Sequence, residues 1–237
     1  MIPCLFDPIL KKSSAMKRNP VAAAPIFLAI LFSFITGISA DDSSLKLVFD
    51  SNIQIPEWEF TDSLAWKTAS DTEGEDILVL KGASEYQPKV RSPLNIAWLK
   101  NLEVTDFVLE VEAKSTSREY GHRDLCFFFG RQSESEFYYV HIATKADPHA
   151  NSIFLVNNEP RISIADKRTG GTRWTDGKFH KIRIERNTAE GRILVYFDDM
   201  EEPIMEAVDR TFASGQVGLG SFDDVGEFRN LKIFARK

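Results

Sequence analysis

Apolar and polar residues alternate with a period of two along most of the chain, and this pattern limits the fold more than any other feature. Successive side chains of a β-strand point to opposite faces, so the pattern is typical of strands that bury one face. Turn segments such as RQSES and NNEP separate the stretches, and no window has a sustained helical period. The sequence therefore predicts an all-β fold, an antiparallel sandwich of two sheets. The predicted strands are residues 45–50, 76–82, 106–115, 124–130, 136–144, 152–158, 161–167, 178–187, 191–199, 215–222 and 227–235.

The parity of each strand assigns its side chains to faces. In residues 136–144 the predicted core row is Tyr138, Val140 and Ile142, and the opposite row is Phe137, Tyr139 and His141. The second row combines aromatic rings with polar atoms, which is unusual for a face that only packs. His180, by contrast, is in line with an apolar row and is predicted to be structural.

The first forty residues have the pattern of a secretory signal peptide. Lys17 and Arg18 precede an apolar run from Val21 to Ile35, and the small residues of ISA follow before Asp41. Met16 opens a complete signal peptide by itself, so translation could start there. A membrane anchor is the alternative, but the run is short for a bilayer span. We therefore predict a signal peptide at residues 1–40, a single domain at residues 41–237, and a secreted or periplasmic protein without stable membrane insertion.

Charge and cysteine content exclude several classes of protein. Removing residues 1–40 takes away four basic side chains and one acidic side chain, which leaves 25 basic against 34 acidic, a net charge of −9. Such a chain is poorly suited to nucleic acid or to anionic membrane surfaces, whose binding depends on Lys and Arg. Cys126 is then the only cysteine, so stability must come from the core without an internal disulfide. The sequence gives no signal for an oligomeric state.

Three of the four histidines lie between residues 119 and 161, together with other groups that bind ligands or transfer protons. We expect the hairpin of residues 124–144 and the following strand to bring these groups into one shared hollow on a sheet. The alternative is a set of local turn networks, because Asp and Asn are common loop residues that bond to nearby backbone. The group comprises His122, Arg123, Asp124, Tyr139, His141, Asp147, His149, Asn151, Asn157 and Arg161.

In the closing third of the chain, residues 174–233 carry a Trp before a basic-apolar strand, an apolar strand that ends in Asp, the segment GQVGLGSF and a final Phe-Arg-Asn strand. In this order of elements the chain resembles the concanavalin A-like lectin and glucanase jelly rolls. With YQPKVRSP at 86–93 and DFVLEVEAK at 106–114, the chain looks most like the secreted bacterial 3-keto-disaccharide hydrolase-like domains. The resemblance implies a two-sheet jelly roll whose concave face holds a sugar.

The catalytic motif of the related glucanases, glycoside hydrolase family sixteen, is missing. Those enzymes carry Glu-x-Asp-x-(x)-Glu on one strand, whereas this chain has no Glu-x-Asp. Glu110 and Glu112 come nearest to this motif. Their alternation with Leu109 and Val111 predicts that they lie on the solvent-exposed face of a strand. The glucanase residues therefore cannot be carried over to this sequence.

Roles for the polar group follow from the chemistry of its members. Aromatic rings offer platforms for sugar rings, and Arg, Asn and Asp hydrogen-bond hydroxyls. Hydrolysis needs an acid and a base or nucleophile, or a base beside an oxyanion-binding Arg for a keto-sugar. The predicted catalytic residues are Asp124, His141, Asp147 and His122. The predicted ligand-binding residues are Arg123, Tyr139, His149, Asn151, Asn157, Arg161 and Trp174.

One metal site is predicted, and no other cofactor. Asp223 and Asp224 in FDDVGEF could hold a structural calcium ion through carboxylate and carbonyl oxygens, although a simple acidic turn is the alternative. The function predicted from the sequence is carbohydrate recognition, with glycosidase-type hydrolysis of small or keto-modified glycans. The alternatives are a non-catalytic carbohydrate-binding module and a structural envelope protein.

Overall fold

The computed structural model describes residues 45–50, 57–72, 74–175 and 177–236, so the predicted signal peptide lies outside the described residues. Sixteen strands and one 3-10 turn at Ser63–Ala65 make up its regular structure. The strands are β1 (Lys46–Asp50), β2 (Trp58–Phe60), β3 (Trp66–Ser70), β4 (Asp76–Leu80), β5 (Asn95–Val104), β6 (Phe107–Ser115), β7 (Asp124–Ser133), β8 (Glu136–Ala143), β9 (Ser152–Asn157), β10 (Ile162–Ser163), β11 (Ala165–Arg168), β12 (His180–Asn187), β13 (Arg192–Phe197), β14 (Met205–Val208), β15 (Gly215–Ser221) and β16 (Gly226–Ala235).

The strands form two antiparallel sheets. The nine-stranded sheet has the order β11-β14-β13-β12-β6-β16-β4-β3, and β1 also pairs with β16. The seven-stranded sheet has the order β10-β9-β8-β7-β15-β5-β2. The prediction of an all-β, two-sheet sandwich is confirmed. No helix in the described residues is long and apolar enough to cross a membrane.

The main core fills the space between the two sheets. From the seven-stranded sheet it receives Tyr138, Val140 and Ile142, the row that parity predicts, and from the nine-stranded sheet it receives Ile182 and Ile184. All five side chains are buried. Burial of alternate side chains on facing strands is what fixes the strand register, because a slip by one residue would turn the apolar row to the other face.

The seven-stranded sheet is covered on its other face as well. A second apolar group, here called the outer cluster, lies on the face turned away from the nine-stranded sheet. Val90, in the segment 81–94 that joins β4 to β5, and Phe222, after β15, pack against it. The backbone N–H of Arg161 donates to the carbonyl of Arg91 over 3.1 Å and fastens this segment. The outer cluster consists of Ile96, Trp98, Cys126, Phe128, Phe137, Tyr139, Phe154 and Val156.

A polar contact at the rim of the core makes stability depend on pH. The hydroxyl of Tyr138 donates to Asp209, and it also accepts from the backbone N–H of Phe212 over 3.0 Å. Burial and the Asp209 carboxylate raise the pKa of Tyr138 to about 12. Burial would raise the pKa of Asp209, but the hydrogen bonds from Tyr138 and Thr211 outweigh it and lower the pKa below its ordinary value of 3.8.

Replacing Asp209 with Asn is therefore expected to destabilise the protein at pH 7 and to matter less in acid. A carboxyl with a lowered folded-state pKa contributes stability above its unfolded pKa and loses it as the pH falls through the folded pKa. Urea denaturation of the wild type and Asp209→Asn at pH 7 and below pH 3 measures this. A destabilisation of equal size at both pH values would contradict it.

Candidate functional site

A buried polar group lies at one end of the outer cluster, where β7 and β8 pair. Asp124, Cys126 and His141 share this position, since Cys126 lies opposite His141 in the register. Asp124 Oδ2 accepts from the backbone N–H of Phe222 over 2.8 Å and from Cys126 Sγ over 3.2 Å. His141 Nε2 lies 3.3 Å from the same oxygen. Exposure of the three side chains is between 0 and 3 %, so solvent does not reach them.

Several polar atoms of this group lack a hydrogen-bond partner among the described residues. They are Asp124 Oδ1, His141 Nδ1 and the hydroxyl of the neighbouring Tyr139, while His141 Nε2 has only its contact with Asp124 Oδ2. Burial would raise the pKa of Asp124, but the charge of His141 and the hydrogen bonds to the carboxylate lower it. Burial and the Asp124 charge raise the pKa of the Cys126 thiol well above its usual range. The position thus holds a carboxylate in an apolar surrounding with half of its bonding capacity unused.

The two predicted calcium ligands lie beside this group. Carboxylate oxygens of Asp223 and Asp224 approach an oxygen of Asp124 to within 4.8 Å. Asp224 Oδ2 also accepts from the backbone N–H of Asp124 over 2.8 Å and from the hydroxyl of Tyr120 over 2.7 Å. Burial and the charge of Asp124 raise the pKa values of both neighbours. Asp124, which was predicted to be catalytic, therefore lies next to the two residues that were predicted to bind a metal ion.

Arg161 borders the same end of the sheet. Its guanidinium lies 4.0 Å from the ring centre of Phe222 and 5.5 Å from that of Phe154. Nη2 donates to the carbonyl of His149 over 3.1 Å, whereas Nε and Nη1 have no partner among the described residues. Of the predicted ligand-binding residues, Arg161 and Tyr139 are the two that lie close to Asp124 and His141.

Asp147 and His122 form a separate pair on the surface. His122 Nε2 lies 2.5 Å from Asp147 Oδ2, and the backbone N–H of His149 donates to Asp147 Oδ1 over 2.7 Å. Burial would raise the pKa of Asp147, but the bonds from His149 and His122 together outweigh it and lower the pKa. The side chain of His149 is exposed. This is the local turn network that was the alternative for these loop residues.

Of the other predicted ligand-binding residues, three are buried and hydrogen-bonded within the fold, and the fourth is exposed away from Asp124 and His141. Arg123 is buried and donates to the Ser115 side chain and carbonyl over 3.0 and 2.8 Å. Asn151 is buried and bonds to Ala143 and Thr169. Trp174 is 1 % exposed, and its Nε1 donates to the Ile142 carbonyl over 3.2 Å. Asn157 is exposed at the far end of β9, five residues from the position opposite His141.

An open polar groove lies over the other end of the outer cluster. Arg131 is at its centre: Nη1 donates to Gln216 over 3.0 Å, Nη2 donates to Glu59 over 2.8 Å, and the guanidinium lies 4.9 Å from the Trp98 ring centre. The groove consists of two cavities of about 130 and 490 Å³ that share Glu59, Arg131 and Glu134. We call it the Arg131 groove; its polar and aromatic lining is Glu59, Phe60, Thr61, Tyr86, Lys89, Trp98, Glu103, Arg131, Gln132, Ser133, Glu134 and Gln216.

Comparison with known proteins identifies the fold. No protein-family model matches the sequence, and no curated protein matches it. Among solved structures, the carbohydrate-binding module CBM66 from Bacillus subtilis has a TM-score of 0.51 and 19 % identity and covers 74 % of this chain and 93 % of its own. The carbohydrate recognition domain of Emp47p has a TM-score of 0.52 and 12 % identity over 84 % of this chain and 99 % of its own. The exoplasmic/lumenal domain of VIP36, in a form bound to Ca²⁺ and Man3GlcNAc, has a TM-score of 0.50 and 12 % identity over 80 % of this chain and 89 % of its own.

The fold is concanavalin A-like.

The Arg131 groove of this concanavalin A-like sandwich was not predicted from the sequence. Its residues come from β2, the 81–94 segment, β5, the end of β7 with the turn after it, and β15, which are far apart in the sequence. One feature of the sequence that helps to form the groove was present in the GQVGLGSF motif. A Cβ on Gly218 would lie 3.0 Å from Cε3 of Trp98, so the glycine lets this ring lie close to β15 beneath Arg131.

Proposed function

We propose that this protein binds carbohydrate in the Arg131 groove. The observation that carries the proposal is the fixed guanidinium of Arg131, held between Glu59 and Gln216 over the Trp98 ring at the floor of an open groove. Carboxylate, amide and guanidinium groups are planar and bond to pairs of neighbouring hydroxyls, which is how proteins select a sugar ring. A side chain that is already held in place loses less entropy on binding.

Tyr86 supplies the apolar contact that a sugar ring needs. Its ring lines the smaller of the two cavities and is half-buried, and burial raises the pKa of its hydroxyl. An aromatic ring with one free face can pack against the C–H face of a pyranose or furanose. By contrast Tyr139, the ring predicted for this role, is fully buried within the outer cluster.

The charges of the groove favour a neutral glycan. Three carboxylates, those of Glu59, Glu103 and Glu134, line it against the two cations Lys89 and Arg131. Arg131 is already paired with Glu59, and Lys89 Nζ lies 3.2 Å from Glu134. A polyanionic ligand would meet no uncompensated positive charge here. Two structural neighbours, a carbohydrate-binding module and a carbohydrate recognition domain, agree with a sugar ligand.

The binding proposal has more support than the hydrolase prediction. Asp124 and His141 are buried, and Asp147 on the surface is bound to His122 and to the backbone N–H of His149 in a local turn. A glycosidase needs two ionisable groups on either side of the scissile bond. We therefore propose a secreted or periplasmic binding module as the function, with bond cleavage as the second candidate. Product release from a panel of glycans that includes 3-keto disaccharides would favour the second.

The test is a glycan array on the purified protein, followed by calorimetric titration of the sugar that binds. Tyr86→Ala and Arg131→Gln are each expected to weaken binding about tenfold or more, which corresponds to about 1.4 kcal/mol. Arg192→Gln is the matched control, because Arg192 lies on the nine-stranded sheet and pairs there with Glu190 over 3.3 Å. Binding that is unchanged in both groove variants would contradict the proposal.

A further inference from the structure

We infer that Asp124, Cys126 and His141 bind a divalent transition-metal ion of the zinc class. This goes beyond the carbohydrate groove, whose lining contains none of the three residues. One carboxylate oxygen, the thiol sulfur and one imidazole nitrogen lie within 4.8 Å of one another. Oxygen, sulfur and nitrogen donors in one set are characteristic of zinc and its neighbours, whereas calcium takes oxygen alone.

The spacing of the donors fits such an ion. Tetrahedral zinc has bond lengths of about 2.0–2.3 Å, which places neighbouring donor atoms about 3.3–3.6 Å apart. In this protein Cys126 Sγ lies 3.2 Å from Asp124 Oδ2, and His141 Nε2 lies 3.3 Å from it. The third pair, the sulfur and the imidazole nitrogen, lies within 4.8 Å, so two of the three spacings already suit a tetrahedral ion.

The bonding deficit of the group points to a ligand independently of the spacing. Asp124 Oδ1 and His141 Nδ1 are buried and have no hydrogen-bond partner among the described residues, and His141 Nε2 has only its 3.3 Å contact with Asp124 Oδ2. Polar atoms in this state are costly, and most buried polar groups in proteins are satisfied. A metal ion would satisfy the carboxylate and one imidazole nitrogen at once, and it would take up the thiol as a thiolate.

The surroundings suit a metal site with one open position. Phe222 stacks on His141 with 6.1 Å between ring centres and 13° between planes, and Phe154 lies 6.1 Å away, so the site has an apolar wall. Three protein donors leave the fourth position of a tetrahedral ion for water or another small ligand. Asp223 is exposed and lies within 4.8 Å of Asp124, which places a carboxylate between the group and solvent.

Cobalt(II) titration of the purified protein, freed of metal by chelation, tests the inference directly. We expect one cobalt ion per chain, with the charge-transfer absorption of a cysteine thiolate–cobalt bond and the strong visible bands of tetrahedral cobalt. Zinc is expected to displace the cobalt and to raise the melting temperature. A wild-type protein that shows no charge-transfer band would overturn the inference, and this result needs no variant to fold.

Variants separate this site from the calcium site predicted at Asp223 and Asp224. Cys126→Ser is expected to abolish the charge-transfer band and to weaken zinc binding at least tenfold. His149→Gln, which removes an exposed imidazole outside the donor set, should leave both unchanged. Zinc binding that persists in Cys126→Ser but is lost in Asp223→Asn would assign the ion to the carboxylates alone and refute the site proposed here.

Discussion

The variant Asp124→Ala should unfold with a free energy about 3–5 kcal/mol lower than that of the wild type. This is the usual cost of removing one partner from a buried charged network, since the remaining groups stay buried without compensation. Here the backbone N–H of Phe222 and the thiol of Cys126 would lose their acceptor, and His141 would lose its neighbouring charge. Urea denaturation followed by tryptophan fluorescence measures the difference.

The neighbouring carboxylate provides the control for Asp124. Asp223 is exposed, so Asp223→Ala is expected to change the free energy of unfolding by about 0.5 kcal/mol or less. An Asp124→Ala protein that is as stable as Asp223→Ala would show that the buried carboxylate contributes little, and the account of its bonding would be wrong.

Trp174→Ala is expected to cost about 3–5 kcal/mol of stability without changing sugar affinity in the folded fraction. The indole packs edge-on against His180 and Phe197, with ring centres 5.7 and 5.2 Å away, and its N–H bonds to the carbonyl of Ile142. Alanine would leave a cavity of indole size in the core, and the carbonyl of Ile142 would lose the indole donor. The sequence had suggested a ligand-binding role for this residue, so the two roles make opposite predictions.

Trp174→Phe separates packing from the hydrogen bond. Phenylalanine fills most of the space but cannot donate, so it is expected to lose a smaller part of the stability than alanine does. Thermal unfolding measures both variants, and sugar titration of each at a temperature where it is folded measures affinity. If Trp174→Ala were stable and failed to bind the sugar, the structural role assigned to Trp174 would be refuted.

The fold could be predicted because it depends on the local alternation of apolar and polar residues along each strand. Tyr138, Val140 and Ile142 are buried together in the main core as their parity requires, and His180 is buried in line with Ile182. A period of two needs no knowledge of distant residues, since the pleat of each strand alone decides which side chains share a face. The boundaries of β7, β8 and β12 lie within a few residues of the predicted ones.

The state of the second face could not be predicted in the same way. Parity puts Phe137, Tyr139 and His141 on one side of β8, but it does not say whether water or protein covers that side. Residues of the segment 81–94, more than forty positions earlier in the chain, decide this by packing over the sheet. For this reason the face of β8 that we expected to be an open platform for sugars is covered and forms the closed outer cluster. The open groove lies around Arg131.

The group around Asp124 contains residues that could be predicted from the sequence and one that could not. Their sequence spacing drew attention to Asp124, Tyr139, His141 and Arg161, and the structure brings these together. It also adds Cys126, which was not among the predicted site residues. Strand pairing is long-range, so the register that sets Cys126 opposite His141 becomes visible only in three dimensions.

The cover over the outer cluster has a consequence for the dynamics of the protein. The segment 81–94 has no regular secondary structure, and few backbone bonds fasten it, among them those from Arg161 to Arg91 and from Leu94 to Phe222. Lifting it would cost less than global unfolding and would expose Trp98 and Phe128 to solvent. Native-state hydrogen exchange should therefore find this segment opening well before the central strands, and that partly opened form is the species most prone to self-association when the protein is concentrated.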